Sequence, residues 1–208
     1  MLRTYFNQKA ATWDATIAEK DTGKLERMAQ RLEIKPGSVV LDVGTGTGVF
    51  LPFILRRTGD GGRVVALDIA EEMLHMARAK GFDGHVEYVQ ADVCSLPLLG
   101  GIFDAVVCYS SFPHFQDKPR ALGEVYRLLK QGGAVFICHT ASRDAINGIH
   151  RSIPAVANDL IPDRSEMEAM LSGVGFNDVE ISEGSDSYLA SARKGRTGQA
   201  PPFVPRCG

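Results

Sequence analysis

The stretch Val40-Leu41-Asp42-Val43-Gly44-Thr45-Gly46-Thr47-Gly48 joins a short apolar run to three alternating glycines. A short apolar run bounded by glycine is typical of a buried strand, and the apolar spacing that follows predicts a helix over residues 47–57. A glycine-rich turn between strand and helix brings backbone N–H groups to the ligand crevice of a doubly wound sheet. Glycines also serve tight packing, so the turn taken alone leaves a purely structural role open.

Strand and helix patterns alternate on both sides of this stretch. A helix is predicted around Leu25 and Met28, and another near Ser165, where Ser165 and Glu168 form a capping box. Predicted strands cover residues 39–43, 63–68, 86–90, 103–108 and 134–139, and predicted helices cover 70–80 and 118–130. Repeated strand and helix units with continuous apolar strands predict a parallel sheet covered on both faces, and residues 179–183 and 187–192 predict a final hairpin.

The glycine loop, residues 44–48, does not fit the two common phosphate-binding motifs. The dinucleotide motif G-x-G-x-x-G needs a third glycine where this chain has Val49, and a P-loop needs Lys after its last glycine. Phosphate ligands are therefore disfavoured, and with them an NAD-dependent oxidoreductase.

Three aspartates lie at the ends of three successive predicted strands. Asp42 precedes the loop, and its carboxylate would repel a pyrophosphate and attract a cation such as S-adenosylmethionine, which carries an ammonium and a sulfonium. Asp68 ends the second strand, where a carboxylate can accept hydrogen bonds from ribose hydroxyls, and Asp92 follows the third strand, near the expected adenine amino group. A single aspartate of this kind is commonly a cap or turn residue, but three together favour a nucleoside site.

Segments 40–48, 66–68, 90–93, 103–115 and 128–139 resemble the class I S-adenosylmethionine-dependent methyltransferases, and the resemblance extends over residues 1–193. It implies an α/β fold with a Rossmann-like, doubly wound, seven-stranded sheet, mostly parallel with an antiparallel terminal strand. It also implies that the loop holds the methionine moiety, Asp68 the ribose and Asp92 the adenine. The expected cofactor-binding residues are Asp42, Gly44, Thr45, Gly46, Gly48, Asp68, Ile69, Met73, Ala91, Asp92, Val93 and Tyr109.

The same resemblance suggests a division of the chain. We expect an N-terminal helical cap over residues 1–34, a methyltransferase core over 35–194 with a substrate insertion at about 141–164, and a flexible tail over 195–208. The opening FNQKAATWD is similar to the cap of the quinone and small-molecule branch, which places Tyr5, Phe6 and Trp13 near the site. The alternative is that these aromatic residues only anchor a surface helix.

Methyl transfer from a sulfonium is an in-line displacement, for which alignment and exclusion of water supply much of the catalysis. A catalytic acid is not obligatory. The segment after the fourth strand lacks the Asn/Asp-Pro-Pro-Tyr/Phe sequence of amino-group methyltransferases. His114 in this segment is the expected proton acceptor, and the alternative is that it caps the next helix. His139 and His150 are further expected substrate contacts. The irregular spacing of the three histidines disfavours a metal site.

Composition limits the function classes. Lys and Arg number 23 against 25 Asp and Glu, and the net charge of −2 with no basic stripe gives no reason to expect a nucleic-acid partner. Four cysteines without a CxxC pair favour a reduced cytoplasmic location, and no signal peptide or membrane span is visible. We therefore expect a cytoplasmic methyltransferase acting on a small-molecule acceptor. The alternatives are an RNA or protein methyltransferase and a non-catalytic cofactor-binding module, and the oligomeric state is left open.

Overall fold

The fold is a seven-stranded sheet with helices on both faces, seen in a computed structural model that describes residues 2–195. The helices are α1 (Leu2–Thr16), α2 (Thr22–Arg31), α3 (Leu51–Thr58), α4 (Glu71–Ala79), α5 (Lys118–Leu128), α6 (Arg143–Arg151) and α7 (Arg164–Val174). The strands are β1 (Val39–Val43), β2 (Arg63–Asp68), β3 (Val86–Gln90), β4 (Phe103–Tyr109), β5 (Leu129–His139), β6 (Phe176–Glu183) and β7 (Tyr188–Lys194).

The strand order is β3-β2-β1-β4-β5-β7-β6, and within the described chain only β7 runs against the others. The predicted fold class is therefore confirmed. The chain leaves β1 toward β2 and β3, then returns to form β4 on the other side of β1. Such a reversal opens a crevice at the carboxyl ends of the strands, where ligands of doubly wound sheets bind.

Two hydrophobic cores hold the layers together, one on each face of the sheet. Leu41 and Val43 of β1 join the core that contains α5 and α7, whereas Val40 joins the core that contains α2 and α3. This alternation follows from the period of two along a strand, and burial on both faces explains why the central strands β1, β2 and β4 are largely apolar.

The predicted start of α3 and the predicted cap of α7 are wrong, whereas α7 itself begins at Arg164, next to the predicted Ser165. The helix expected from residue 47 begins at Leu51, because Gly46 and Gly48 have φ values of 56° and 80°, which a right-handed helix excludes. The helix near Ser165 is capped instead by Asp163, whose side chain accepts from the Glu166 N–H while the Glu166 side chain accepts from the Asp163 N–H. The sequence holds both capping pairs two residues apart, and the earlier pair is the one used.

The structure describes both the expected cap and the expected insertion. Residues 2–34 of the expected cap contain α1 and α2, and the expected insertion contains α6 and a 3₁₀ turn at Pro154–Val156. Residues 196–208 of the expected tail lie outside the described residues. Within residues 2–195, none of the helices has both the length and the apolar composition needed to cross a membrane.

Candidate active site

The glycine loop crosses the carboxyl end of β1 in a backbone conformation that disfavours residues other than glycine. Gly44 has φ of 71°, and a Cβ added there would lie 2.4 Å from Cβ of Ser111, which follows β4. Ser111 itself is fixed because its Oγ donates to the Val43 carbonyl oxygen. At Gly46, by contrast, an added Cβ would meet nothing within 4 Å. The loop is therefore pressed against the end of β4 on one side and open on the other.

Asp68 fixes the loop from the neighbouring strand. The register pairs Val43 with Leu67 and Asp68 with Gln90, so the ends of β1, β2 and β3 meet at one edge of the sheet. The Gly46 N–H donates to Asp68 Oδ2 and the Ala70 N–H to Asp68 Oδ1, each at 2.8 Å. The side chain is nearly buried, and burial raises the pKa of Asp68 against these two hydrogen bonds, which lower it.

Asp42 lies beneath the loop. It is buried, and its Oδ2 accepts from Oγ1 of Thr45 at 2.7 Å. Burial raises the pKa of Asp42 to about 7, with a smaller contribution from the nearby Asp68 charge. Asp42 is thus placed to stabilise the loop through Thr45, and in its ionised form it adds negative charge behind the loop.

A cavity of about 660 Å³ opens beside the loop, at the ends of β1 to β4. This volume falls within the range of ~300–1,000 Å³ that is usual for sites of small molecules. Eight of the predicted cofactor-binding residues line it: Gly44, Gly46, Asp68, Ile69, Met73, Ala91, Asp92 and Val93. Asp42, Thr45, Gly48 and Tyr109 are not among the lining residues.

Tyr109 lies in the core rather than in the cavity. Its ring stacks on Phe50 with 4.4 Å between centroids, and its hydroxyl is 2.9 Å from Oγ1 of Thr140. Consecutive residues of a strand point to opposite faces, so the last residue of β4 faces α3. Ser110, with φ of 53°, turns the chain and lines the cavity in its place.

Helix α1 covers the cavity from one side. Phe6 and Trp13 line it and contact each other edge to face at 5.7 Å, whereas Tyr5 packs on Phe6 without lining the cavity. Asp14 attaches this helix to the core, because it accepts from Thr47 Oγ1 of the glycine loop and pairs with Lys80 Nζ at 2.7 Å. The cap is therefore fastened to the loop itself.

Of the three predicted histidines, His114 and His150 are in contact, and only His114 lines the cavity. Its Nδ1 lies 2.9 Å from Oδ2 of Asp159, and its ring is 4.9 Å from that of His150. His139 is buried with both ring nitrogens unpartnered among the described residues, and burial lowers its pKa to about 3, which leaves it neutral. Residues 2–195 hold no group of three side chains suited to a metal ion.

Sequence reasoning missed three residues of this region. Asp159 pairs with His114 from 45 positions away, Asp14 holds the cap, and Ser110 takes the position expected for Tyr109. Asp159 follows a Pro-containing turn without helical or strand periodicity, so no local pattern marked it. All three lie in segments singled out by the resemblance, Asp14 in the cap, Ser110 in residues 103–115 and Asp159 in the expected insertion, but nothing marked these residues individually.

Comparisons with known proteins agree with this geometry. A methyltransferase domain family matches residues 41–137. The ubiquinone/menaquinone biosynthesis C-methyltransferase UbiE of Enterobacter sp. (strain 638) is 31% identical, over 86% of this chain and 84% of that protein. UbiE of Escherichia coli O139:H28 is 32% identical, over 71% of this chain and 69% of its own. In fold, the chain is similar to an Aquifex aeolicus SAM-dependent methyltransferase, with a TM-score of 0.70 and 22% identity over 92% of this chain and 97% of that one.

Proposed function

We propose that this chain, which belongs to the class I S-adenosylmethionine-dependent methyltransferases, methylates a ring carbon of a small aromatic hydroxyl compound. The observation that carries the proposal is the single cavity that the glycine loop, the aromatic cap residues and His114 line together. The names of the UbiE relatives state C-methylation in ubiquinone and menaquinone biosynthesis, which agrees with an aromatic acceptor of this class.

The residues present fit the cofactor. Gly46 leaves open space beside its backbone, and Asp68 offers a carboxylate at the edge of the same cavity. We propose that the loop holds the methionine moiety, that Asp68 accepts from the ribose hydroxyls, and that Asp92 faces the adenine amino group. The predicted contribution of Asp42 is its charge behind the loop. When bound, the cofactor supplies an electrophilic methyl group.

The acceptor is proposed to lie between the aromatic cap and His114. Phe6 packs edge to face against His114, with 5.0 Å between ring centroids, so an apolar surface and a proton acceptor face the same space. Phe6 and Trp13 would exclude water from the methyl group, and His114 would receive the hydroxyl proton that the acceptor loses. A site enclosed by α1 suits a small molecule better than an RNA or a protein surface.

Transfer of a labelled methyl group tests the proposal. The chain is incubated with S-adenosylmethionine that carries a labelled methyl group. Three separate reactions contain a panel of dihydroxybenzenes and dihydroxynaphthalenes, total RNA, or total protein as the acceptor. We expect label on a ring carbon of the hydroxylated aromatic compounds, little label with Asp68→Ala, and normal labelling with Asp60→Asn, which changes an exposed aspartate in the turn after α3. Label confined to RNA or protein would contradict the small-molecule acceptor.

A further inference from the structure

Asp159 contacts two histidines through two different atoms. Its side-chain Oδ2 lies 2.9 Å from Nδ1 of His114, and its backbone carbonyl oxygen is hydrogen-bonded to Nδ1 of His150. A carboxylate and a carbonyl only accept hydrogen bonds, so Nδ1 carries the proton in both rings. In a neutral imidazole the other nitrogen, Nε2, then holds the free lone pair.

Nε2 of His114 is the nitrogen that remains for a ligand. It has no hydrogen-bond partner within residues 2–195, and it is not among the fully buried polar atoms. Both His114 and Asp159 line the cavity. We propose that Asp159 is a positioning residue that holds His114 in the Nδ1–H form, so that Nε2 faces the acceptor as the base; this rests on the proposed aromatic hydroxyl acceptor.

The surroundings of the pair suit this role. The side chains of His114 and Asp159 are only 16% and 12% exposed, so solvent screens their interaction weakly. Gln116 Nε2 donates to the other carboxylate oxygen of Asp159 at 3.5 Å, and the Phe6 ring packs against the imidazole. The pair is thus held from the β4–α5 segment, from the insertion and from the cap.

The proton balance is simple. The O–H bond of the acceptor breaks, and its proton goes to the lone pair of His114 Nε2, where the imidazolium is balanced by the Asp159 carboxylate. The ring carbon of the resulting phenolate attacks the methyl group as the bond from that methyl to sulfur breaks, and the sulfur keeps the electron pair. The methylated ring carbon then loses its hydrogen to water as a proton, and the oxygen takes a proton back from the imidazolium, which restores the phenol and the neutral imidazole. An acceptor without an acidic proton would gain nothing from this arrangement, which among small aromatic acceptors favours phenols and hydroquinones.

Imidazole nitrogen spectra test the proposal without any acceptor. Long-range ¹H–¹⁵N correlation spectra of the full chain, recorded above the titration of free histidine, report which nitrogen of each ring is protonated. Single His→Gln variants assign the signals. We expect the Nδ1–H form for His114 and His150 in the wild type. In Asp159→Ala, His114 should lose this form, whereas His150 should keep it because its partner is the backbone carbonyl.

The outcomes are decisive in both directions. An Nε2–H form for His114 in the wild type, or no change in Asp159→Ala, would overturn the proposal, and the wild-type spectrum decides even if that variant does not fold. The spectra are recorded without a methyl acceptor and therefore do not depend on activity. A wild type that methylates no phenol would contradict the proposed function, but it would leave the proton position reported by the spectra unchanged.

Kinetics separate positioning from a general loss of structure. With a phenol that the wild type methylates, we expect Asp159→Ala to lower kcat by about 100-fold, the scale of general base catalysis. KM for the phenol and the affinity for S-adenosylhomocysteine should change less than about threefold, and Asp159→Glu should recover part of kcat. His114→Ala combined with Asp159→Ala should be no slower than His114→Ala alone, because the two act as a unit. Independent, additive losses would contradict the pair, and Asp60→Asn serves as the matched control.

Discussion

Replacing Gly44 by alanine should damage both folding and cofactor binding, and the structure gives the size of the effect. At φ of 71° a Cβ costs about 1–2 kcal/mol through the left-handed backbone. The same Cβ would lie 2.4 Å from Cβ of Ser111, well inside normal contact, and such overpacking costs about 1–3 kcal/mol. The expected loss in the free energy of unfolding is therefore about 2–5 kcal/mol.

Gly37→Ala is the matched control for this perturbation. Gly37 has φ of 81° but nothing within 4 Å of its added Cβ, so it should lose only the backbone contribution of about 1–2 kcal/mol. Denaturant unfolding measures both losses, and titration calorimetry with S-adenosylhomocysteine measures binding. We expect weaker binding by at least about tenfold for Gly44→Ala, worth ~1.4 kcal/mol, and no change for Gly37→Ala.

A double-mutant cycle isolates the contact with Ser111. Ser111→Gly removes the colliding Cβ and should restore part of the stability lost in Gly44→Ala, with a coupling energy of about 1–3 kcal/mol. Equal losses for Gly44→Ala and Gly37→Ala, or strictly additive effects with Ser111→Gly, would refute the argument that the loop is pressed against the end of β4.

Three further predictions concern groups behind or above the cavity. Burial raises the pKa of Asp42 from 3.8 to about 7, so the folded chain binds a proton that the unfolded chain has released; this stabilisation is complete below about pH 3.8 and is lost as pH rises through about 7. Asp42→Asn should flatten that decline in denaturant unfolding measured across this pH range, and parallel profiles would contradict it. Asp14→Ala should increase hydrogen exchange over residues 2–16. The free energy of unfolding should change by less than about 1 kcal/mol, because the ion pair of Asp14 is partly exposed. Unchanged exchange would show that the cap does not depend on Asp14. Tyr109→Phe should cost about 1 kcal/mol through the lost contact with Thr140 and leave affinity for S-adenosylhomocysteine unchanged in calorimetry, and weakened binding would return Tyr109 to the site.

Much of the sheet could be predicted because its strands are continuous apolar runs. Residues 39–43 and 63–68 form strands with the predicted bounds, since burial on both faces leaves a signal that needs no tertiary knowledge. The start of α3 could not be predicted from apolar spacing, because the left-handed glycines extend the turn beyond Gly48. The capping pair at Asp163 was missed for a different reason, since a second sequence pair of the same kind lay two residues later.

The two halves of the site differ in how far the sequence reveals them. Asp68 ends β2 and Asp92 lies two residues beyond β3, so the topology alone brings them to one edge of the sheet. The pairing of His114 with Asp159 depends on how the insertion folds back over the sheet, and that path leaves no periodic signal. Ser110 lines the cavity in place of Tyr109 because of one positive φ, that of Ser110 at the end of β4.

The central claim is that the carboxylate at the end of β2 holds the ribose of the cofactor. Titration calorimetry with S-adenosylhomocysteine and with its analogue lacking both ribose hydroxyls tests this claim without altering the protein. Hydrogen bonds to a charged group contribute about 1.5–3 kcal/mol, so the analogue should bind roughly 10- to 100-fold more weakly to the wild type. Equal affinities for the two compounds would contradict the placement of the ribose against Asp68.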